Sequence, residues 1–191
     1  MPVSGLKHTS RRNEEHKKDR TMLSLIIGGA GSGKSALAES LCCSLEGPRL
    51  YIATLAAADG ESLKRIEKHR RQRSGMGFET LECPLSLDGA EIPDGANALL
   101  EDLSNLLANE LFSPEGGGAE AVRRGLQNAC ERCANLTVVT NEVFSDGTDY
   151  GNGTMEFLRE LAALNRELAA KADLVAEAVC GLPNVLKGAL P

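Results

Sequence analysis

The chain has 191 residues, 42% hydrophobic and 25% charged, the balance of an ordinary globular domain, which excludes a fibrous repeat and a wholly disordered chain. Aromatic residues make up only 3%, with no Trp, and the net charge is -6, so a nucleic-acid binder is not expected: it needs stacking platforms and a basic surface. No stretch approaches the roughly 18 apolar residues of a membrane span.

Residues 1–20 are compositionally foreign to the rest, with six basic residues (Lys7, Arg11, Arg12, Lys17, Lys18, Arg20) against three acids (Glu14, Glu15, Asp19) and little apolar surface. Such a segment cannot bury enough to offset its ordering entropy. Residues 1–21 are therefore expected to form a disordered basic extension and residues 22–191 a single P-loop nucleotide-binding domain. Leu23–Ile27 is too short for the core of a signal peptide, so a cytoplasmic protein with reduced cysteines is expected. Strands are expected at Leu23–Gly28, Leu50–Thr54, Phe78–Cys83, Ala98–Glu101, Leu136–Val143 and Leu174–Cys180. Helices are expected at Lys34–Leu45, Glu61–Arg73, Leu103–Phe112, Ala119–Ala134 and Met155–Ala172. Several strands are apolar on both faces, which predicts an α/β fold, P-loop NTPase-like, with a largely parallel sheet and helices on both faces. Cys130-x-x-Cys133 has metal-ligand spacing but no second pair, so buried thiols are the better reading.

The sharpest motif is Gly28-Gly29-Ala30-Gly31-Ser32-Gly33-Lys34-Ser35, which matches G-x-x-x-x-G-K-[ST] between an apolar strand and an Ala/Leu-rich helix. Its glycines let backbone N–H groups turn toward phosphate oxygens at a helix N-terminus; Lys34 adds a cation, and the Ser35 hydroxyl can hold Mg²⁺. A dinucleotide fingerprint would require Gly where Lys34 stands, so ATP or GTP is expected rather than NAD. The metal also needs an acid at the end of a neighbouring strand. Leu99-Leu-Glu101-Asp102 and Val138-Val-Thr-Asn-Glu142 both end in acids, and the sequence alone leaves that choice open.

His69 is the one histidine outside the extension, which holds His8 and His16. Leu63, Ile66 and His69 recur at helical steps and share a face. Two readings follow: a partly buried helix histidine, or a group that meets a polyphosphate among Arg65, Arg70, Arg71 and Arg73, whose guanidinium forks would neutralise phosphoryl charge.

Taken in order, the P-loop, Tyr51-Ile-Ala-Thr54, the Arg65-Ile-x-x-His69-Arg70-x-x-Arg73 helix, Leu99-Leu-Glu-Asp-Leu-Ser-Asn-Leu-Leu-Ala-Asn109, Thr140-Asn-Glu-Val143 and Gly181-Leu-Pro183 form a series. It resembles the bifunctional adenosylcobinamide kinase / adenosylcobinamide-phosphate guanylyltransferase family of cobalamin assembly, from Leu23 to about Gly188. The resemblance implies an enzyme that phosphorylates adenosylcobinamide with ATP or GTP, then transfers GMP from GTP to the product through a guanylyl-histidine at His69. It implies nucleotide contacts from Gly28–Ser35, Lys34 among them, and from Thr54, Leu55, Ala56, Arg70, Arg71, Gln72, Arg73, Glu82 and Glu101, with Mg²⁺ held through Ser35 and Glu101. It also implies a homo-oligomer, a trimer among the possibilities. The sequence departs from the family pattern at Gly31, where an arginine is common, and at Lys68, where some relatives carry a second histidine. Two alternatives stand beside this reading: a small-molecule P-loop kinase without guanylyl transfer, and a GTP-dependent regulatory protein.

Overall fold

One sheet organises the computed structural model, which describes residues 21–56, 71, 74–143 and 152–191. Its strands are β1 (Met22–Gly28), β2 (Arg49–Ala53), β3 (Phe78–Glu82), β4 (Asn97–Leu100), β5 (Asn135–Asn141), β6 (Leu174–Val179) and β7 (Leu182–Lys187). The helices described between them are α1 (Lys34–Cys43), α2 (Leu103–Phe112), α3 (Gly118–Arg132) and α4 (Asn152–Lys171). The spatial order is β3-β2-β4-β5-β1-β6-β7. Neighbours pair parallel except β6 and β7.

The alternation of each strand divides the interior into two layers. Leu25, Ile52, Leu100 and Val138 face a core closed by Leu103, Leu106 and Leu107 of α2, Val122 and Leu126 of α3, and Leu161 and Leu164 of α4. Ile26, Tyr51, Leu99 and Val139 face the other layer, closed by Ala38, Leu41 and Cys42 of α1. The architecture is α/β with helices on both faces, as the doubly apolar strands predict.

Elements end where their partners do. β5 stops at Asn141, not Val143, because Asn141 is the partner of Gly28 and the chain of β1 then leaves the sheet. β6 stops at Val179, and Cys180, expected as its last residue, has φ 51 and begins a turn. α4 begins at Asn152, ahead of the expected Met155, drawing Gly153 into a first turn whose N–H groups need no intrahelical partner. β7 was not expected. Pro183 within Leu182–Lys187 counts against an interior strand, and β7 is indeed an edge strand, with all six residues exposed. The predicted helix Glu61–Arg73 lies outside the described residues except at Arg71, and of the expected extension at residues 1–21 all but Thr21 lie outside them too. The Thr21 hydroxyl donates to the carbonyls of Cys130 and Cys133.

Side chains close the loops. Arg49 caps α1 from the start of β2, donating to the carbonyls of Cys42 (3.3 Å), Cys43 (3.0 Å) and Leu45 (3.3 Å), a cation at the negative end of a helix. Glu110 is 3% exposed, and its two carboxylate oxygens accept the amides of Ser86 and Gly117, each at 2.7 Å. Glu110→Ala leaves both amides without an acceptor, and each unsatisfied buried group costs about 1–3 kcal/mol. Thermal denaturation should show a fall of several degrees, with Glu110→Gln, which keeps an acceptor for one amide, between that variant and the parent.

The cysteines are free thiols. Burial pushes Cys42 and Cys83 up to about 11 and Cys133 up to about 12, and raises Cys130. Cys180 is instead exposed, because it occupies the turn.

Candidate active site

In a parallel sheet the strand ends that share a direction lie along one edge, and ligands bind in the crevice outside the carboxyl ends. Here that edge gathers the loop after β1, Thr54–Ala56 after β2, Glu82 at the end of β3, Glu101 and Asp102 after β4, and Asn141–Val143 at and after β5.

The loop Gly29–Gly33 leads from β1 into α1. Gly31 and Gly33 have φ 71 and 93, a region that side chains rarely adopt, and Gly33 is the N-cap of α1. The Ser32 amide donates to the Gly29 carbonyl at 3.3 Å, and the Lys34 ammonium donates to the same oxygen at 3.2 Å. The cation is thus folded over its own loop. The Ser32 Oγ is buried and has no hydrogen-bond partner among the described residues. Ser35 stands in the first turn of α1.

Register places the remaining residues. Ala53 pairs with Glu82, and Glu101 follows Leu100, the partner of Ile52, so Glu82, Ala53 and Glu101 form one row across β3, β2 and β4. With strands about 4.8 Å apart, Glu101 stands roughly 10 Å from the line of β1, and Glu82 roughly 19 Å. The sheet does not bring Glu82 to the P-loop; both flank a crevice that an elongated ligand could span. Thr54 is fully buried, and its hydroxyl donates to the Asp102 carbonyl at 2.9 Å, while Leu55 and Ala56 are partly buried. Arg71 is exposed. His69, Arg70, Gln72 and Arg73 lie outside the described residues.

Asp102, left open in sequence as a metal acid, is engaged otherwise. Its Oδ1 accepts the amides of Ser104 (2.8 Å) and Asn105 (3.2 Å), capping α2, and its carboxylate also accepts from Asn141 Nδ2 at 3.0 and 3.1 Å. Asn141 Nδ2 further donates to Ser104 Oγ at 3.0 Å. These bonds tie the end of β4 to the end of β5, and the Glu142 amide then donates to the Gly28 carbonyl at 3.2 Å. The sequence signal for the cap was an acid before an apolar run, but its partner 39 residues on had none. Asp102→Ala removes the cap and the carboxylate acceptor of the Asn141 amide, which keeps Ser104 Oγ, an expected cost of about 1–2 kcal/mol, read as a lowered melting temperature. Asp102→Asn, itself a good cap, should lose less.

A cleft of about 570 Å³ lined by Asp88, Glu91, Ile92, Pro93, Asn128 and Arg132 holds none of these residues. No helix among the described residues is long and apolar enough to cross a membrane.

Comparison with known proteins gives the family. The family model for cobinamide kinase / cobinamide phosphate guanyltransferase matches residues 24–186. The chain is 34% identical over 171 residues to the bifunctional adenosylcobalamin biosynthesis protein CobP of Pseudomonas aeruginosa, covering 87% of this chain and 98% of that one. It is 35% identical over 185 residues to CobU of Salmonella typhimurium, covering 87% of this chain and all of that one, and 33% identical to CobU of Escherichia coli over 183 residues at the same coverage. A match that runs from within β1 to near the end of β7, through the P-loop and every strand end of the crevice, makes the chain a member of the cobinamide kinase / cobinamide phosphate guanyltransferase family.

Proposed function

We propose that the chain phosphorylates adenosylcobinamide with ATP or GTP and then transfers GMP from GTP to adenosylcobinamide phosphate, giving adenosylcobinamide-GDP. The observation that carries this is the family match over residues 24–186, joined to a P-loop at the carboxyl edge of a parallel sheet. In this reading Gly28–Ser35 hold the phosphates, with Lys34 as the cation within the loop and the buried, unpartnered Ser32 Oγ as a further polar group. The nucleotide runs along the crevice past Glu101 and Thr54–Ala56 toward Glu82, which explains why the contacts span four strands. Arg70, Arg71 and Arg73 supply charge for the phosphates.

In the second reaction an imidazole nitrogen of His69 attacks the α-phosphorus of GTP. The new N–P bond forms as the bond to the bridging oxygen breaks and pyrophosphate leaves. A phosphate oxygen of adenosylcobinamide phosphate then attacks the same phosphorus, the N–P bond breaks, and His69 is regenerated. Ser35 and Glu101 would hold Mg²⁺: a hydroxyl and a carboxylate are the hard oxygen donors it takes, and Asp102 is committed to the α2 cap. When bound, the ion would neutralise charge on the phosphate oxygens.

We further place the protein in the cytoplasm, supported by its six free cysteines, and as a homo-oligomer, a trimer by resemblance. Exposed Val179, Leu182, Val185 and Leu186 on and beside β7 supply an apolar surface for such assembly. The function is tested by supplying adenosylcobinamide with ATP alone and then GTP. The phosphate ester should appear first and the GDP conjugate only after GTP is added. Phosphorylation without the conjugate favours a kinase alone, and neither product sinks the assignment.

A further inference from the structure

The hairpin between β6 and β7 turns on Cys180 and Gly181, with φ 51 and 80. Two consecutive positive φ values suit the twist of paired antiparallel strands. This turn rests against the phosphate loop: the Gly181 N–H donates to the Ser32 carbonyl at 2.8 Å. Gly33 approaches so closely that a Cβ there would lie 2.9 Å from Gly181 Cα. In a trans peptide unit the C=O and the following N–H point in opposite directions. With the Ser32 carbonyl drawn to Gly181, the Gly33 N–H of the same unit points away from the hairpin.

We propose that Gly181 is a positioning residue of the phosphate site, whose amide fixes the Ser32–Gly33 peptide and thereby aims the Gly33 N–H at bound phosphate. The proposal rests on the reading of Gly28–Ser35 as the phosphate site. A glycine-rich peptide without this anchor is free to rotate, and the ligand would have to order it on binding; the hairpin orders it beforehand.

The test removes one N–H. Gly181 is ten residues from the last residue, Pro191, so residues 180–191 can be made synthetically and joined through the Cys180 thiol. Glycolate in place of Gly181 gives an ester that keeps the backbone shape and lacks the donor. Calorimetry should show GTP bound about tenfold more weakly than by the all-amide chain made in the same way, the scale of one charge-assisted hydrogen bond. A brace that is merely structural would lower the melting temperature and leave the affinity unchanged. Two expressed variants repeat the test: Gly181→Asn tolerates positive φ and keeps its N–H, so it should bind like the parent, whereas β-branched Gly181→Val should weaken binding. An ester chain that binds GTP as tightly as the all-amide chain overturns the proposal, whatever its melting temperature. Lys34→Ala separates the two readings: if it too leaves affinity unchanged, the phosphate site itself is misassigned, and if it alone weakens binding, only the brace fails.

Discussion

Replacing His69 with alanine is expected to abolish the covalent label that the protein takes up from α-labelled GTP, while phosphorylation of adenosylcobinamide continues. The two steps make different demands. In the proposed route guanylyl transfer passes through a nitrogen nucleophile that holds GMP between donor and acceptor. Phosphorylation needs the P-loop, the metal and a positioned hydroxyl, with no group on the protein becoming covalently attached. The label on the parent should be labile in acid and survive mild alkali, as a phosphoramidate does and a phosphate ester of Ser or Thr does not. Because His8 and His16 are the other histidines of the chain, a His8→Ala/His16→Ala variant should label like the parent. Full labelling of His69→Ala would show that His69 is not the nucleophile. An unlabelled parent that still phosphorylates the alcohol would establish the kinase alternative.

The second large effect is expected at Lys34. Its ammonium already lies over the loop, 3.2 Å from the Gly29 carbonyl, so little rearrangement separates it from a phosphate bound there. A hydrogen bond to a charged group contributes about 1.5–3 kcal/mol, so Lys34→Ala should weaken GTP and ATP binding by tenfold or more. Phosphorylation of adenosylcobinamide, for which these contacts are proposed to hold the donor, should fall with it. Calorimetry with each nucleotide reads the result. The melting temperature of the nucleotide-free chain should change little, because the side chain makes its bond to a surface loop rather than to the core. Unchanged affinity for both nucleotides would remove the phosphate site from Gly28–Ser35.

The shape of the loop Gly28–Ser35 was legible in the sequence because its geometry is local. Eight consecutive residues, an apolar strand before them and an Ala/Leu-rich helix after them suffice to specify a strand, a left-handed turn at Gly31 and Gly33, and a helix N-terminus. The two-layer sheet was legible for a similar reason: strands apolar on both faces, such as Leu136–Val139, can only be buried on both. The role of Asp102 was not. An acid at a strand end reads the same whether it awaits a metal or caps a helix, and the choice is made by Asn141 arriving from the neighbouring strand. Nor could the row of Glu82, Ala53 and Glu101 be read in advance, because it depends on β3 and β4 flanking β2 in a particular register. The contact between Ser32 and Gly181 is the extreme case. It joins residues 149 positions apart through backbone atoms alone, and a backbone hydrogen bond carries no residue-type signature. What the sequence by itself determined is the chemistry of each short segment; which segments meet at the carboxyl edge was decided by strand order, because only the packed sheet brings distant chain ends within hydrogen-bonding distance.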